Sequence, residues 1–178
     1  MRFGSVLFAA LLLLIASPAI AEVLVGTVVG VADGDTVTVL DAERRQHKVR
    51  LQGIDAPERR QAFSEKAKQA LSDLVFRREV EVHWEKRDRY GRIVGKVLVA
   101  PATCAQPPCA RTVDAALELI RGGLGWWYRH YAKEQSPEDR RRYEAAEARA
   151  RQAKKGLFSD PHAQPPWEFR KAKRQKAR

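Results

Sequence analysis

The chain has 178 residues, with 33 Lys and Arg against 22 Asp and Glu, and a formal charge of +11. That length suits one domain around a single core. The positive excess favours a polyanionic partner without choosing between nucleic acid, heparin and an anionic membrane. Four singly scattered histidines (His47, His83, His130, His162) and two cysteines speak against zinc, which needs further ligands at matched spacing.

The first 21 residues read as an export signal. Met1-Arg2 leads into an apolar run from Val6 to Ile15. Ser17-Pro18-Ala19-Ile20-Ala21 then places small side chains where signal peptidase needs them. The alternative, a membrane anchor, is disfavoured by a run short of the ~20 residues that span a bilayer. Cleavage after Ala21 leaves 157 residues starting at Glu22. The expectation is a secreted or periplasmic monomer with no stable membrane association.

From Glu22 to Leu51 the pattern is β. Val23 to Val31 is rich in β-branched residues, and Asp33-Gly34 is a tight-turn signal. Thr36 to Leu40 alternates, the chain turns through residues 41–46, and His47 to Leu51 alternates again. After Glu58 the period changes. Phe63, Ala67, Ala70, Leu71, Leu74 and Val75 recur at three- and four-residue steps, which predicts an amphipathic helix. Strand character returns at Val80 to Trp84 and at Ile93 to Val99.

Cys104 and Cys109 follow, five residues apart in a proline-bearing loop. In an exported chain such neighbours are expected to pair as a local disulfide, the alternative being two free thiols. A second helix is predicted from Thr112 to Arg121, stopped by Gly122-Gly123. A third starts at Ser136, a good N-cap, with Pro137 in the first turn and Asp139 favouring the helix dipole. Its apolar stripe is Tyr143, Ala146, Ala150 and Ala153, and Gly156 is the expected C-cap.

Residues 22–168 are therefore one domain, followed at 169–178 by a basic tail. Its six cations (Arg170, Lys171, Lys173, Arg174, Lys176, Arg178) have almost no apolar partner, and the tail is expected to be disordered. The whole reads as α+β, mainly β with helices: a five-stranded antiparallel barrel with three flanking helices, of which the OB-fold is the commonest small form.

Three segments concentrate unusual polar residues: Asp33-Gly-Asp-Thr36, Arg50 to Glu58, and Asp88-Arg-Tyr-Gly-Arg92. All lie at predicted strand ends, which a barrel can gather at one rim. Together they offer what phosphodiester cleavage requires. The five-coordinate transition state gains a negative charge, which a hard cation on oxygen ligands and planar guanidinium forks both stabilise. A carboxylate must also orient or deprotonate the attacking water. Asp35 and Asp55 suit the cation, Arg50 and Arg92 the phosphate, and Glu58 the water.

These segments resemble the active-site segments of the staphylococcal nuclease (thermonuclease) family, in the same order and with similar spacing, from Val23 to Phe158. The ending Pro166-Trp-Glu-Phe-Arg170 also resembles bacterial members. The resemblance implies the OB-fold and a calcium-dependent endonuclease acting on DNA and RNA, with 3′-phosphate products. It makes Asp35 and Asp55 calcium carboxylates, joined by the backbone carbonyl of Ala56, where the type member has threonine. Arg50, Glu58 and Arg92 become catalytic, and Tyr90 lies beside the nucleotide phosphate. Within Trp126-Trp127-Tyr128-Arg-His-Tyr131 the match is ambiguous: Tyr131 is carried as a substrate residue, and core or helix packing stands as the other role for these aromatics. The runner-up function is a non-catalytic nucleic-acid-binding OB-fold module that has lost these groups; here all five principal positions are intact.

Overall fold

The computed structural model describes residues 22–106 and 108–176. The export signal expected over residues 1–21 lies outside them. β1 (Glu22–Asp33), β2 (Thr36–Leu40) and β3 (Gln46–Leu51) form the meander read from the sequence, with Val28 opposite Val39 and Val37 opposite Val49. β4 (Ile54–Asp55) and α1 (Ser64–Val75) follow, then β5 (Glu79–Arg87) and β6 (Ile93–Val99). β7 (Val113–Asp114), α2 (Ala115–Arg121), β8 (Trp126–Trp127), α3 (Pro137–Gln152) and α4 (Pro166–Lys176) complete the order, with 3-10 turns at Arg129–Glu134 and Gly156–Ser159.

β1 is long enough to pair with β2 on one side and β5 on the other, bending at two bulges, after Val28 and after Val31. β6 pairs with β5, and the ring closes where β6 meets β3. The expected all-antiparallel barrel is corrected here: β3 and β6 run parallel. The reason is parity. Directions alternate along β3-β2-β1-β5-β6, so the two ends of a five-membered ring point the same way.

The inward positions alternate as a pleated strand requires: Ile93, Gly95, Val97 and Val99 of β6 are buried and their neighbours less so. Val28, Val37, Val39, Val49, Val82 and Val97 fill the barrel at zero exposure. α1 covers one side of this core with Ala67, Leu71 and Val75. α3 is capped as expected, Ser136 Oγ accepting the Asp139 N–H at 3.0 Å.

Three boundaries differ from the sequence reading. The second helix starts at Ala115 rather than near Thr112, because Val113 and Asp114 pair with β6 and Asp114 caps the helix by accepting the Leu117 N–H. α3 ends at Gln152, and Gly156, at φ 50°, opens a separate 3-10 turn instead of capping the helix.

The third difference is the largest. The stretch from Phe169, expected to be disordered, belongs as far as Lys176 to a fourth helix, α4. Pro166 opens it and is buried, the Trp167 ring stacks on Tyr128 at 5.4 Å between centroids, and Gln61 Nε2 donates to the Gln164 carbonyl at 3.0 Å. Apolar and polar anchors at its first turn thus hold a segment whose charge alone predicts disorder. No helix among the described residues is long and apolar enough to cross a membrane.

Cys104 and Cys109 form a disulfide with Cα atoms 6.1 Å apart, in the connection between β6 and β7.

Candidate active site

Asp35 follows Gly34 in the β1–β2 turn. Asp33 sets that turn, its Oδ1 accepting the Asp35 N–H at 3.1 Å. A Cβ on Gly34 would lie 2.7 Å from the Cβ atoms of both Ala56 and Ala67. Glycine therefore lets the turn press against α1 and the Asp55–Ala56 segment, so the first two motifs touch through backbone packing.

Asp35 is 3% exposed, and both of its carboxylate oxygens accept hydrogen bonds. Oδ1 accepts the Thr36 hydroxyl at 3.0 Å and Arg50 Nη1 at 2.7 Å, and Oδ2 accepts the Ala56 N–H at 3.0 Å. Burial pushes its pKa up to about 7, against the Arg50 guanidinium and the Ala56 N–H that pull it down.

Arg50 sits opposite Thr36 in the β2–β3 ladder, which aims it at the same turn. Its other nitrogen, Nη2, donates to Asp55 Oδ1 at 2.8 Å. One guanidinium thus spans Asp35 and Asp55. Asp55 is 1% exposed and is placed by β4, which pairs with β8 and sets Asp55 opposite Trp126. Glu58, at 37% side-chain exposure, is the accessible carboxylate of the group, and its backbone N–H is held by Gln61 Oε1 at 2.8 Å. Asp35, Arg50, Ala56 and Glu58 line a cleft of about 320 Å³, with Asp33 and Lys68 also on its wall.

The third segment reaches this rim through the parallel closure. Arg50 pairs with Val94, two residues beyond Arg92. The Arg92 side chain is turned onto its own loop: Nε donates to Asp88 Oδ2 at 2.7 Å, and Asp88 Oδ1 accepts the N–H groups of Tyr90 and Arg92. Burial works against ionised Asp88, but these bonds hold its carboxyl below the usual range. Tyr90 is 69% exposed at the loop tip, with the Arg92 guanidinium 5.5 Å from its ring centre.

The aromatic segment divides. Trp126 and Trp127 are core residues, 2% and 6% exposed, and Trp127 Nε1 donates to Gln135 Oε1 at 2.8 Å. Tyr131 is 44% exposed and packs edge-on against Tyr128, with Lys86 Nζ 5.3 Å from its ring centre.

With this arrangement established, comparison with known proteins identifies the family. Residues 48–160 match the family model described as Staphylococcal nuclease homologue. The chain belongs to the staphylococcal nuclease family. It is similar to Micrococcal nuclease of Shigella flexneri, at 44% identity over 166 residues covering 92% of this chain and 90% of that protein. Protein ParB of Escherichia coli is 46% identical over 159 residues (89% of this chain, 85% of that one). An uncharacterized endonuclease of Escherichia coli is 35% identical over 148 residues (83% and 86%). The chain is accordingly a nuclease, a hydrolase of nucleic acid on the OB-fold barrel.

Nucleases of this family depend on a metal ion, and the donor set suits a hard one. Asp35 and Asp55 converge closely enough for one guanidinium to bridge them, and their ligating atoms are all oxygen. Among the described residues no group of three or more His, Cys, Asp or Glu gathers as a metal cluster. An ion here would rest on two carboxylates and complete its shell with carbonyl or water oxygens, as hard cations do.

The sequence reading placed Arg170 in the basic tail and gave it no part in the site. Arg170 of α4 reaches into the carboxylate group, Nη2 donating to Asp55 Oδ2 at 2.8 Å, and Nη1 to Glu58 Oε1 at 2.6 Å and Asp55 Oδ1 at 3.2 Å. The signal was present in Pro166 at a helix start, with Trp167 and Arg170 one turn apart on the same face.

Proposed function

We propose that this nuclease is a calcium-dependent endonuclease that hydrolyses phosphodiester bonds of both DNA and RNA and leaves 3′-phosphate products. One observation carries the reading: two buried carboxylates, Asp35 and Asp55, meet on the single guanidinium of Arg50, and Asp35 and Arg50 line an open cleft. Such a pair is costly unless a positive charge is there to meet it. Asp35 and Asp55, with the Ala56 carbonyl, would hold the ion. Bound there, calcium supplies Lewis-acid polarisation of the phosphoryl group and neutralises charge developing on it.

The chain's own residues supply the rest. Arg50 and Arg92 are the phosphate forks, each resting on carboxylates when no substrate is present. Each arginine thus exchanges a carboxylate partner for the phosphate when substrate binds. Glu58 is exposed enough to meet water, and it orients or deprotonates the nucleophile on the side of phosphorus away from the leaving oxygen. Release of that oxygen as a 5′-hydroxyl leaves the phosphate on the 3′ side. Tyr90, at the loop tip beside Arg92, packs near the nucleotide phosphate, and Tyr131 extends the substrate surface.

We place the protein outside the cytoplasm, secreted or periplasmic, on the export signal at residues 1–21. The Cys104–Cys109 disulfide fits an oxidising compartment. The mature chain incubated with plasmid, single-stranded DNA and RNA should cut all three in calcium and none in chelator, with 3′-phosphate ends. Full cutting in chelator, or 5′-phosphate ends, would refute the proposal.

A further inference from the structure

Two arginines, not one, converge on Asp55. Arg50 comes from the barrel wall and Arg170 from the last helix, and both donate to the same oxygen, Oδ1, at 2.8 and 3.2 Å. Two permanent cations sharing one acceptor repel each other, and the carboxylates of Asp35, Asp55 and Glu58 offset that repulsion. Arg170 also bonds Glu58 at 2.6 Å, the side chain given the attacking water above. Its guanidinium therefore stands beside the place where phosphate and water must meet, and about a third of the Arg170 side chain stays open to solvent.

α4 holds this position by other means. Pro166 is buried, Trp167 stacks on Tyr128, and the Gln164 carbonyl takes a hydrogen bond from Gln61. Presenting Arg170 is thus a property of the helix rather than an accident of a loose end.

We propose that Arg170 is a third phosphate-binding arginine of the active site, contributed by the C-terminal helix and acting on the same scissile phosphate as Arg50 and Arg92. The inference rests on the nuclease reading above. Arg50 supplies the internal precedent, because it too rests on the carboxylates of the site with both forks occupied. With Asp35 and Asp55 given over to a cation, the guanidiniums that held them, Arg50 on the cleft wall and Arg170 against Glu58 of that wall, would be left with unmet donors. A dianionic transition state is then their partner, and a fork of two N–H groups suits two of its oxygens. Arg170 consequently competes with calcium for Asp55 before substrate binds and serves the phosphate afterwards.

The test uses the whole mature chain as wild type, Arg170→Gln and Arg170→Lys. It reads kcat and KM on a short single-stranded DNA in saturating calcium, and calcium affinity by calorimetry without nucleic acid. The glutamine variant should lose about 100-fold in kcat, the usual effect of removing one charge-stabilising donor. The lysine variant should recover part of that loss. Calcium should bind the glutamine variant as tightly as wild type or tighter, because a competitor for Asp55 is gone. Near wild-type kcat in Arg170→Gln overturns the proposal, as does a lysine variant no better than glutamine. Weakened calcium binding in step with lost activity also overturns it, since Arg170 would then merely support the carboxylates. A wild-type chain inert with calcium would instead sink the nuclease reading, and this proposal with it.

Discussion

Replacing Arg50 by methionine separates its service as counter-ion from its proposed service to substrate. Asp35 and Asp55 are 3% and 1% exposed, and both lean on this guanidinium. Removing one partner of a buried pair costs ~3–5 kcal/mol, because the remaining charge is stranded away from water. Asp55 keeps Arg170, so the stranded group is Asp35, left with the Thr36 hydroxyl and the Ala56 N–H. Asp35 is already pushed up to about 7 by burial and can escape by taking a proton. The lower end, ~3 kcal/mol, is therefore expected. For a chain of this size each kcal/mol moves Tm by ~2–4 °C, so the variant should melt ~6–12 °C below wild type in chelator at pH 8.

Two changes of condition should shrink that deficit. Calcium at the proposed site would return a positive charge to the carboxylates. Acid does so by another route: Asp35 has a raised folded-state pKa, so its ionised form is the costly one. As pH falls through about 7 the folded protein takes up the proton and the penalty of burial fades. Thermal melts by circular dichroism at pH 8 and pH 5.5, with calcium or chelator, give all four values. Equal Tm for variant and wild type in chelator would refute the reasoning, as would a deficit unmoved by both calcium and acid. Cleavage should stay impaired even where stability returns, because the proposed phosphate fork is still missing.

Other outcomes follow from the same geometry. Glu58→Gln should fold normally, its side chain being 37% exposed, and lower kcat by ~100-fold or more at fixed calcium; near wild-type turnover would remove Glu58 from the chemistry. Reducing the Cys104–Cys109 disulfide opens a loop between β6 and β7, away from the three polar segments. It should cost about 2 kcal/mol by loop entropy and leave kcat unchanged in a gel-based cleavage assay. Asp41, held low by the His47 hydrogen bond and by Arg45, stabilises the β2–β3 turn in its ionised form. That contribution is full above the unfolded pKa of about 4 and fades as pH falls towards the folded value. The urea midpoint of Asp41→Asn should lie below wild type at pH 7, and the gap should narrow by pH 2.5.

Most of the barrel was legible because its signals are local. The β1–β2 turn is written in Asp33-Gly34, the β6 register in the alternation from Ile93 to Val99, and the α3 start in Ser136-Pro137. The polar segments stood out because acidic and arginine residues cluster where strands end. The parallel β3–β6 closure was not read, since it joins residues more than forty positions apart and follows from counting strands around a ring. The Arg92–Asp88 contact was also missed: both residues were seen, but which anion the arginine rests on is a matter of loop geometry. α4 was misjudged for a different reason. Six cations in the last nine positions outweighed one proline and two aromatics, although a stacked Trp167 and a buried Pro166 suffice to dock the first turn.

Asp35 and Asp55 are proposed to form one site for calcium. Calorimetric titration of calcium into the mature wild type and into Asp35→Asn and Asp55→Asn tests it without any substrate. A single binding event in wild type, lost in both variants while each remains folded by circular dichroism, is the expected result. Calcium binding to either folded variant with wild-type affinity would contradict it.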